Sequence, residues 1–472
     1  MIKLSSLAIV TYLLISVFLL FLFFENILVW LSFLANWGIL TIIFLYHIRI
    51  EKDFSPFLSS YITFNYLFLF LAPMVQISNM NNNNGLFPNY FPYSEGIVVF
   101  ANGLICLFHS FFFISYLWFK KTTFKNRPKE QFKKSKYVPL TILILFFISL
   151  ITLFFSYDYI ITSITESHWR SELLFKMSVS SQLILKKVLY MLPLGALVLA
   201  HNYLKNKTLT KNTVIIFFLA FFLLLLLLFF KNPLTEKRNA IGPIYITLLF
   251  LFYPKLLNSN IKSFLFLFLS LVVFFPLASG LTHLDATLGE IINNPSIILK
   301  TYEIGGIVNS FTAMHYDAFS NILATIGYTI DNGFSNGYQL ISGLLFFIPR
   351  SVWASKSNSS GEFIGDYLIE NHNFFFNNLS NPLVSEGYIN FGVFGVILLS
   401  ICLAFFVVKF LVWLSSDNPL KRIVSFYFAV HLIFLLRGDF TNGFSYFIGT
   451  LIAILLIPYL MDLFFKWAFK KQ

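Results

Sequence analysis

The chain has 472 residues, of which 57% are hydrophobic and only 11% are charged, and its mean hydropathy is +0.77. Because about a quarter of the residues in ordinary soluble domains are charged, this composition excludes a soluble globular protein and predicts one that crosses a membrane many times. The net charge of +12 does not indicate nucleic-acid binding, because Lys and Arg cluster beside the apolar runs rather than along one solvated face.

Apolar runs near the length that crosses a bilayer as a helix recur from one end of the chain to the other. Runs such as FFLLLLLLFF at 221–230 do not alternate in polarity, which argues against a transmembrane β-barrel. No small-residue cleavage site follows the first run, so we interpret it as a retained span. The sequence therefore predicts an all-α polytopic membrane helix bundle of about twelve spans, at residues 7–24, 27–46, 57–77, 96–119, 137–156, 183–201, 213–230, 240–254, 263–280, 388–413, 423–436 and 444–465.

Orientation follows from the loop KKTTFKNRPKEQFKKSK, which begins at Lys120 and carries eight basic residues and one Glu. Such loops stay in the cytoplasm. Alternating the spans from this loop places 22 of the 33 Lys and Arg residues inside, and 5 of the 21 acidic residues. Parity and charge bias agree, and they predict that both termini are cytoplasmic.

One predicted outer loop, residues 281–387, is much longer than the others. It divides the chain into helices 1–9 over 1–280, the external loop over 281–387, and helices 10–12 over 388–472. Within the loop, the stretch from Gly337 to Pro349 is apolar but too short to cross a bilayer. We predict that this stretch is a re-entrant or interfacial segment.

Motifs for nucleotide and metal chemistry are absent from the sequence. It has no P-loop, no glycine-rich dinucleotide fingerprint, no HExxH and no Asp-X-Asp pair. These absences disfavour an ATP-driven pump and a metal-dependent cytosolic transferase, and we expect neither a metal nor a cofactor. The two cysteines, Cys106 and Cys402, fall inside predicted spans and do not indicate a disulfide framework.

Several cations lie on the predicted outer side, where the charge bias disfavours them. Arg238 stands at the outer end of the eighth span, and Arg350 is separated from Gly361 by SVWASKSNSS, which includes Lys356. A guanidinium fork matches phosphate geometry, so these residues are candidates for binding a lipid phosphate or diphosphate. For Arg238 the alternative is an interfacial anchor, and for Arg350 it is a solvated loop. Arg437, in an Arg-Gly-Asp turn, has the alternative of pairing with Asp439.

Candidate proton acceptors also lie on the predicted outer side. His372 and Glu386 are favoured because they are close to Arg350 in sequence and to the start of a span. Asp317 lies in an apolar run, where its alternative role is to orient an arginine. His283 and His315 are weaker candidates because a single histidine in an outer loop is usually just solvated.

Several of these residues fall in phrases that together resemble a known family. The phrases are His315-Tyr-Asp, the segment from Phe347 to Lys356, and Ser385-Glu-Gly-Tyr-Ile-Asn-Phe-Gly, with Arg350 and Gly361 in an arginine, ten residues, glycine pattern. Over about 230–465, the chain resembles the polysaccharide repeat-unit polymerases, the O-antigen polymerase (Wzy) family. Arg238 is similar to the arginine that opens a span in that family and in the related O-antigen ligases.

The resemblance implies a GT-C-like fold and a metal-independent glycosyltransferase in the bacterial cytoplasmic (inner) membrane. Its substrates would be undecaprenyl-pyrophosphate-linked oligosaccharide repeat units, which it would join into O-antigen or capsule while releasing polyprenyl pyrophosphate. Membrane lipid, a chain-length regulator and a flippase would be further partners, and nucleic acid would not. We hypothesise that Arg238 and Arg350 bind pyrophosphate with Lys356 and Arg437 as helpers, and that His372 or Glu386 is the base or orients the acceptor.

Two alternative functions share these features. An O-antigen ligase would transfer finished polymer to a lipid core, and it would have similar spans and outer arginines. A flippase or transporter of the lipid-linked oligosaccharide would have a similar number of spans, but such proteins usually show repeated halves and charged residues at mid-membrane. The sequence shows no internal repeat and places its polarity in one loop, which favours catalysis at one face.

Overall fold

The computed structural model describes residues 4–22, 24, 26–80, 85–125, 135–165, 184–205, 210–233, 236, 238–274, 290, 293–294, 296 and 311–469. Across these ranges the regular structure is helical, and the sole extended pairing is an isolated bridge between Leu86 and Pro92. The predicted all-α class is therefore confirmed. The helices are α1 Leu4–Leu22, α2 Ile27–Leu45, α3 Pro56–Tyr66, α4 Ala72–Ser78, α5 Glu95–Lys125, α6 Val138–Thr165, α7 Leu192–Leu204, α8 Lys211–Phe230, α9 Arg238–Phe252, α10 Asn260–Leu269, α11 Ala318–Asn332, α12 Tyr338–Leu344, α13 Ser360–His372, α14 Leu383–Leu414, α15 Pro419–Arg437, α16 Phe440–Leu451 and α17 Ile457–Ala468.

Within the described ranges, ten helical segments of 19 to 32 residues are long and apolar enough to cross a membrane. Two shorter apolar helices, Ala240–Phe252 and Asn260–Val273, correspond to the eighth and ninth predicted spans. The polytopic helical bundle is thus confirmed. The count of twelve stays a prediction because the ninth predicted span continues beyond residue 274, outside the described residues.

The centre of the bundle is one helical rod, in which a π-helical turn, Leu67–Leu71, joins α3 to α4. Every residue from 55 to 77 is buried. A helix that has no exposed face must be surrounded by protein, and this rod packs against α2, α10 and α15. Its buried amides find partners on other segments: Gln76 donates to the backbone carbonyls of Phe311 and Tyr316 at 2.9 and 3.0 Å.

At one end of the bundle, polar side chains join three connections of the chain. The Lys120 ammonium lies 2.8 Å from the Glu51 carboxylate and 3.0 Å from that of Asp53. The Asn260 amide donates to the carbonyls of His47, Glu51 and Asp53. The sequence predicts these three connections on the cytoplasmic side, and the structure brings them together. Which end faces the cytoplasm stays a prediction.

At the opposite end, α11 lies inside the bundle. Residues 316–327 are buried, and the helix packs against α5, α13 and α14. The Asn89 amide, from the connection between α4 and α5, donates to Asn321 at 2.9 Å. The described part of the predicted outer loop is therefore mostly helical and packed onto the spans, although the division of the chain at 281 and 387 stays a prediction.

A break divides α14 into a short segment and a long one. Phe391 and Gly392 have non-helical backbone angles, and Gly392 has a φ of +60°, a value that favours glycine. Across the break, a Cβ added to Gly395 would lie 2.0 Å from the Gly387 carbonyl oxygen, so the two segments touch backbone to backbone. Residues 381–390 are all buried, and this short segment carries Glu386.

Candidate functional site

The turn between α15 and α16 lies at the end of the bundle that contains α11, and it connects the polar groups there. Arg437 is the last residue of α15, and Asp439 caps α16 by accepting a hydrogen bond of 2.8 Å from the backbone N–H of Asn442. The backbone N–H of Phe440 donates to Oε1 of Glu386 at 2.7 Å. Four consecutive residues therefore link the Arg437 guanidinium to the buried segment of α14.

Arg437 forms an ion pair with Asp317. Its Nη2 lies 2.9 Å from Oδ1 of Asp317, and its Nε donates to the His315 carbonyl at 3.1 Å. Asp317 also accepts hydrogen bonds from the Asn321 amide at 2.9 Å and the Ser380 hydroxyl at 3.0 Å. The Asp317 side chain is 3% exposed and that of Arg437 is 23% exposed. The carboxylate thus fixes a guanidinium that remains partly exposed. The structure pairs Arg437 with Asp317, a partner that neither alternative for Arg437 named, and its role as a ligand stays a prediction.

Arg350 is exposed and belongs to a second chain of contacts. Its Nη1 donates to the Lys356 carbonyl at 2.9 Å, and its Nη2 donates to Oδ1 of Asn358. The Asn358 amide in turn donates to Oε1 of Glu362 at 2.7 Å. This chain sets an arginine and a carboxylate side by side at the start of α13.

Lys356 lies beside Arg350, but its ammonium serves the fold. Nζ donates to the carbonyls of Leu345, Phe346 and Ile348 at 3.0, 2.8 and 3.0 Å. An ammonium has three N–H donors, so these bonds occupy all of them at the end of α12. Burial and the nearby Arg350 charge lower the pKa of Lys356. In this geometry it holds the turn that presents Arg350.

Glu362 is the residue that the sequence analysis missed. It is partly exposed, and desolvation raises the pKa of its carboxyl; the Asp366 and Asp439 charges add to this effect and the Arg350 charge opposes it. The sequence pattern Ser359-x-x-Glu362 is that of a helix capping box, and Ser359 does cap α13. Because the capping box already explains this residue, nothing in the sequence singled out Glu362, although it directly follows the motif residue Gly361.

Glu386 is 2% exposed. Its Oε1 accepts hydrogen bonds from the Ser360 hydroxyl and the Phe440 backbone N–H, so it ties the start of α13 to the start of α16. Gly361 lets the start of α13 pack against the segment before α14, because a Cβ there would lie 2.1 Å from the Leu379 carbonyl oxygen. In this geometry the Glu386 carboxylate is buried between helices, and a role in proton transfer stays a prediction.

His372 lies at the far end of α13. The helix has thirteen residues, and at 1.5 Å per residue it separates His372 from Ser360 by about 18 Å. His372 contacts the rings of Phe91 and Tyr367, with centroids 5.2 and 5.5 Å away, and its shielded Nε2 makes no hydrogen bond within the described ranges. Burial lowers the pKa of His372, and the Asp331 charge opposes this effect. His372 and Glu386 therefore cannot act on the same atom.

The structure describes the remaining predicted site residues only in part. α9 begins at Arg238, but its side chain lies outside the described part of the structure, as does all of His283. Nearby, Lys231 is 1% exposed and lies 3.2 Å from the Glu236 carboxylate. This buried pair was not predicted from the sequence. Among the described residues, no three His, Cys, Asp or Glu side chains converge as a metal ion would need.

Residues 379–468 match the family model described as O-antigen polysaccharide polymerase Wzy. The match confirms the resemblance predicted from the sequence over about a fifth of the chain, a segment that contains Glu386, Arg437 and the turn between α15 and α16. No curated protein and no solved structure matches the chain. The GT-C-like relation stays a prediction.

Proposed function

We propose that this chain is a membrane glycosyltransferase that joins oligosaccharide repeat units carried on polyprenyl diphosphate into a surface polysaccharide. The family match and the apolar helices support an O-antigen polymerase in a bacterial inner membrane. The lipid diphosphate donor, the outward orientation of the site and the roles below are our proposal.

The observation that carries this proposal is the arrangement at the start of α13. An exposed guanidinium, Arg350, is linked through Asn358 to a partly exposed carboxylate, Glu362. Both Arg350 and Asp439 are close enough to Glu362 to affect its pKa, and Asp439 lies two residues after Arg437. One exposed guanidinium and one partly exposed carboxylate thus lie at the start of α13, and residues 379–380, which pack on this helix, also contact the Asp317–Arg437 pair.

These groups suit sugar transfer from a diphosphate. The hydroxyl oxygen of the acceptor forms a bond to the anomeric carbon of the donor sugar, and the bond from that carbon to the diphosphate oxygen breaks. Glu362 takes the hydroxyl proton, a contribution of about 10² to 10⁴ in rate. The carrier diphosphate leaves as an anion, and Arg350 and Arg437 stabilise its charge, an effect that is larger beside low-dielectric lipid than in water.

The other predicted residues have supporting roles in this proposal. Asp317 orients Arg437, Lys356 holds the Arg350 turn, and Glu386 joins α13 to α16. Arg238 remains a candidate diphosphate ligand because α9 begins there. His372 is assigned no part in taking the hydroxyl proton, because His372 and Glu362 lie at opposite ends of α13.

Purified protein in proteoliposomes, supplied with lipid-linked repeat units alone, tests the proposal. We expect a ladder of polymer, and we expect Arg350→Ala to slow it by roughly 10² or more, as for loss of a charge-stabilising donor. Arg422→Ala, an exposed arginine at the start of α15, is the matched control and should keep the wild-type rate.

Three results would contradict the proposal. Polymer formed at the wild-type rate by Arg350→Ala would reject the role of this arginine. Wild-type protein that transfers sugar only to a lipid core would be a ligase. Protein that moves labelled lipid-linked units between leaflets and forms no polymer would be a transporter.

A further inference from the structure

Aromatic side chains gather at the far end of α13, about 18 Å from the proposed diphosphate site. Phe375 is 68% exposed and Tyr90 is 40% exposed. Phe376 packs beside Phe375 with ring centroids 4.9 Å apart, and Tyr90 lies 6.0 Å from Phe375. We call Tyr90, Phe375 and Phe376 the aromatic platform.

The platform is held rigidly from beneath. The buried Phe374 contacts the rings of Tyr90, Phe375 and Phe376 at 5.4, 4.8 and 4.8 Å. Its backbone N–H donates to the Leu368 carbonyl on α13 at 3.2 Å. Exposed apolar rings on a fixed base present a preformed surface, and this lowers the ordering cost of binding a ligand.

The segment that follows α13 also packs closely against this helix. A Cβ added to Gly365 would lie 2.4 Å from backbone atoms of Asn377, and the Asn377 amide donates to Asp366 at 2.8 Å. On the other side, Tyr90 has a φ of +65°. A non-glycine residue in this region persists only where its surroundings fix it. Both edges of the platform are thus fixed by the residues around them.

The charged residues around the aromatic platform indicate which kind of ligand it fits. The segments 85–94, 326–333 and 365–378 contain Asp331, Asp366 and Glu370, and they contain no Lys or Arg. Attraction to anionic head groups at a membrane surface needs basic residues, and these segments contain none. An acidic surround disfavours that attraction. It suits a ligand with many hydroxyl donors, whose apolar ring faces cover the aromatic rings while its hydroxyls meet carboxylates and amides.

We propose that the aromatic platform binds the sugar rings of the repeat unit at a distance from its diphosphate. This inference rests on the proposed function and adds a substrate-binding surface to it. The two ends of α13 then have opposite character: Arg350 meets the anion and the platform meets the neutral saccharide. A helix of about 18 Å separates them, a length suited to an oligosaccharide of several sugars, so the helix would orient the unit along its axis.

The first test uses the repeat-unit oligosaccharide released from its lipid diphosphate by mild acid. Its binding to the purified protein is measured by calorimetry for the wild type and three variants. Phe375→Ala should weaken binding about 3- to 10-fold, as for loss of one aromatic stacking contact, while Phe375→Tyr should retain it. Phe347→Ala removes another exposed ring, 65% exposed and outside the platform, and should bind as the wild type does. Equal binding by Phe375→Ala and the wild type would overturn the proposal.

The second test separates the saccharide from the membrane. In a Cys106→Ala, Cys402→Ala background, Asn378→Cys, an exposed position three residues after Phe375, carries an environment-sensitive fluorophore in nanodiscs. We expect the released oligosaccharide to change its emission and lipids with brominated chains to leave it unquenched. Quenching by the brominated lipids would show a membrane wedge and reject the saccharide platform.

Failure of the platform and failure of the proposed function give different results. If the wild type makes no polymer while oligosaccharide binding still depends on Phe375, the platform stands and the polymerase proposal falls. If the wild type makes polymer and Phe375→Ala binds the oligosaccharide normally with an unchanged KM for lipid-linked units, the platform falls alone.

Discussion

Three carboxylates near the α15–α16 turn differ in their surroundings, and these differences assign them different roles. Asp317 is buried in an ion pair with Arg437. Glu386 is buried and accepts two hydrogen bonds that join helices. Glu362 alone of the three is partly exposed and lies beside the exposed Arg350. A group that exchanges a proton with substrate must reach it, which favours Glu362.

Replacing Glu362 tests that assignment. Glu362→Gln preserves the hydrogen-bond acceptor for Asn358 but cannot take a proton, so polymerisation should slow by about 10² to 10⁴. Only the deprotonated carboxyl is a base, and desolvation raises its pKa. The wild-type rate should therefore rise with pH over a range above the ordinary carboxyl pKa, and this rise should vanish in the variant. The measurement is the rate of polymer formation against pH.

The control for this experiment is Asp417→Asn, an exposed carboxylate before α15 at the other end of that helix. It should keep both the wild-type rate and its pH dependence. A Glu362→Gln protein with the wild-type profile would remove Glu362 from the chemistry and return the search for a base to His372.

At the residue scale, sequence patterns predicted the arginines better than the carboxylates. A cation on the side that the charge bias disfavours stands out against its neighbours, so Arg350 and Arg437 could be selected as candidates without a structure, and their roles stay predictions. That Asp317 orients an arginine was one of two alternatives, and the structure identifies Arg437 as its partner. Glu362 could not be distinguished from an ordinary capping residue, because exposure and pKa depend on contacts distant in sequence.

At the scale of elements, α13 is the rigid support of the site. It begins next to Arg350 and Glu386 and ends at the aromatic platform, and glycines let it approach the segment 377–380 closely. The sequence predicted Gly361 only as part of a motif. The contact with the Leu379 carbonyl gives the physical reason for that glycine.

Adding a single methyl group at Gly361 should disturb this support. In Gly361→Ala the new Cβ would lie 2.1 Å from the Leu379 carbonyl oxygen, so α13 must shift away. Overpacking typically costs about 1–3 kcal/mol, and we expect a lower melting temperature in detergent together with a loss of polymerisation.

Gly96→Ala is the matched control, since it lies in the first turn of α5 with no atom within 4 Å of the added Cβ. It should melt with the wild type. If Gly361→Ala also melted and polymerised as the wild type does, the close packing of α13 on this segment would not be needed for the site.

Element boundaries show where sequence prediction reached its limit. Hydropathy predicted a span at 388–413. A helix is found there, but the break at Phe391 and Gly392 separates residues 388–390 from the rest of the predicted span. Hydropathy does not detect a backbone break because it averages side-chain polarity over a window and contains no information on backbone angles. It also did not separate the buried rod of α3 and α4 from spans that face lipid, since both are apolar.

For the whole molecule, the polar residues divide between two ends of an apolar bundle. Lys120, Glu51 and Asn260 meet at one end, and Asp317, Arg437 and Asn89 lie at the other. The alternation of spans in the sequence predicted this division, because each crossing reverses the direction of the chain. The packing of α11 inside the bundle could not be predicted, since it depends on long-range contacts.

The orientation of the bundle is the claim on which the account depends, because a flipped glycolipid meets only an outward site. The most direct measurement uses a Cys106→Ala, Cys402→Ala protein with a new cysteine at the exposed Ala354, four residues after Arg350. In sealed right-side-out vesicles, a membrane-impermeant maleimide should label Ala354→Cys at once, and lipid-linked repeat units should slow this labelling. Lys121→Cys, in the basic loop, should react only after permeabilisation. Labelling of Ala354→Cys only after permeabilisation would place Arg350 inside the cell and contradict the account.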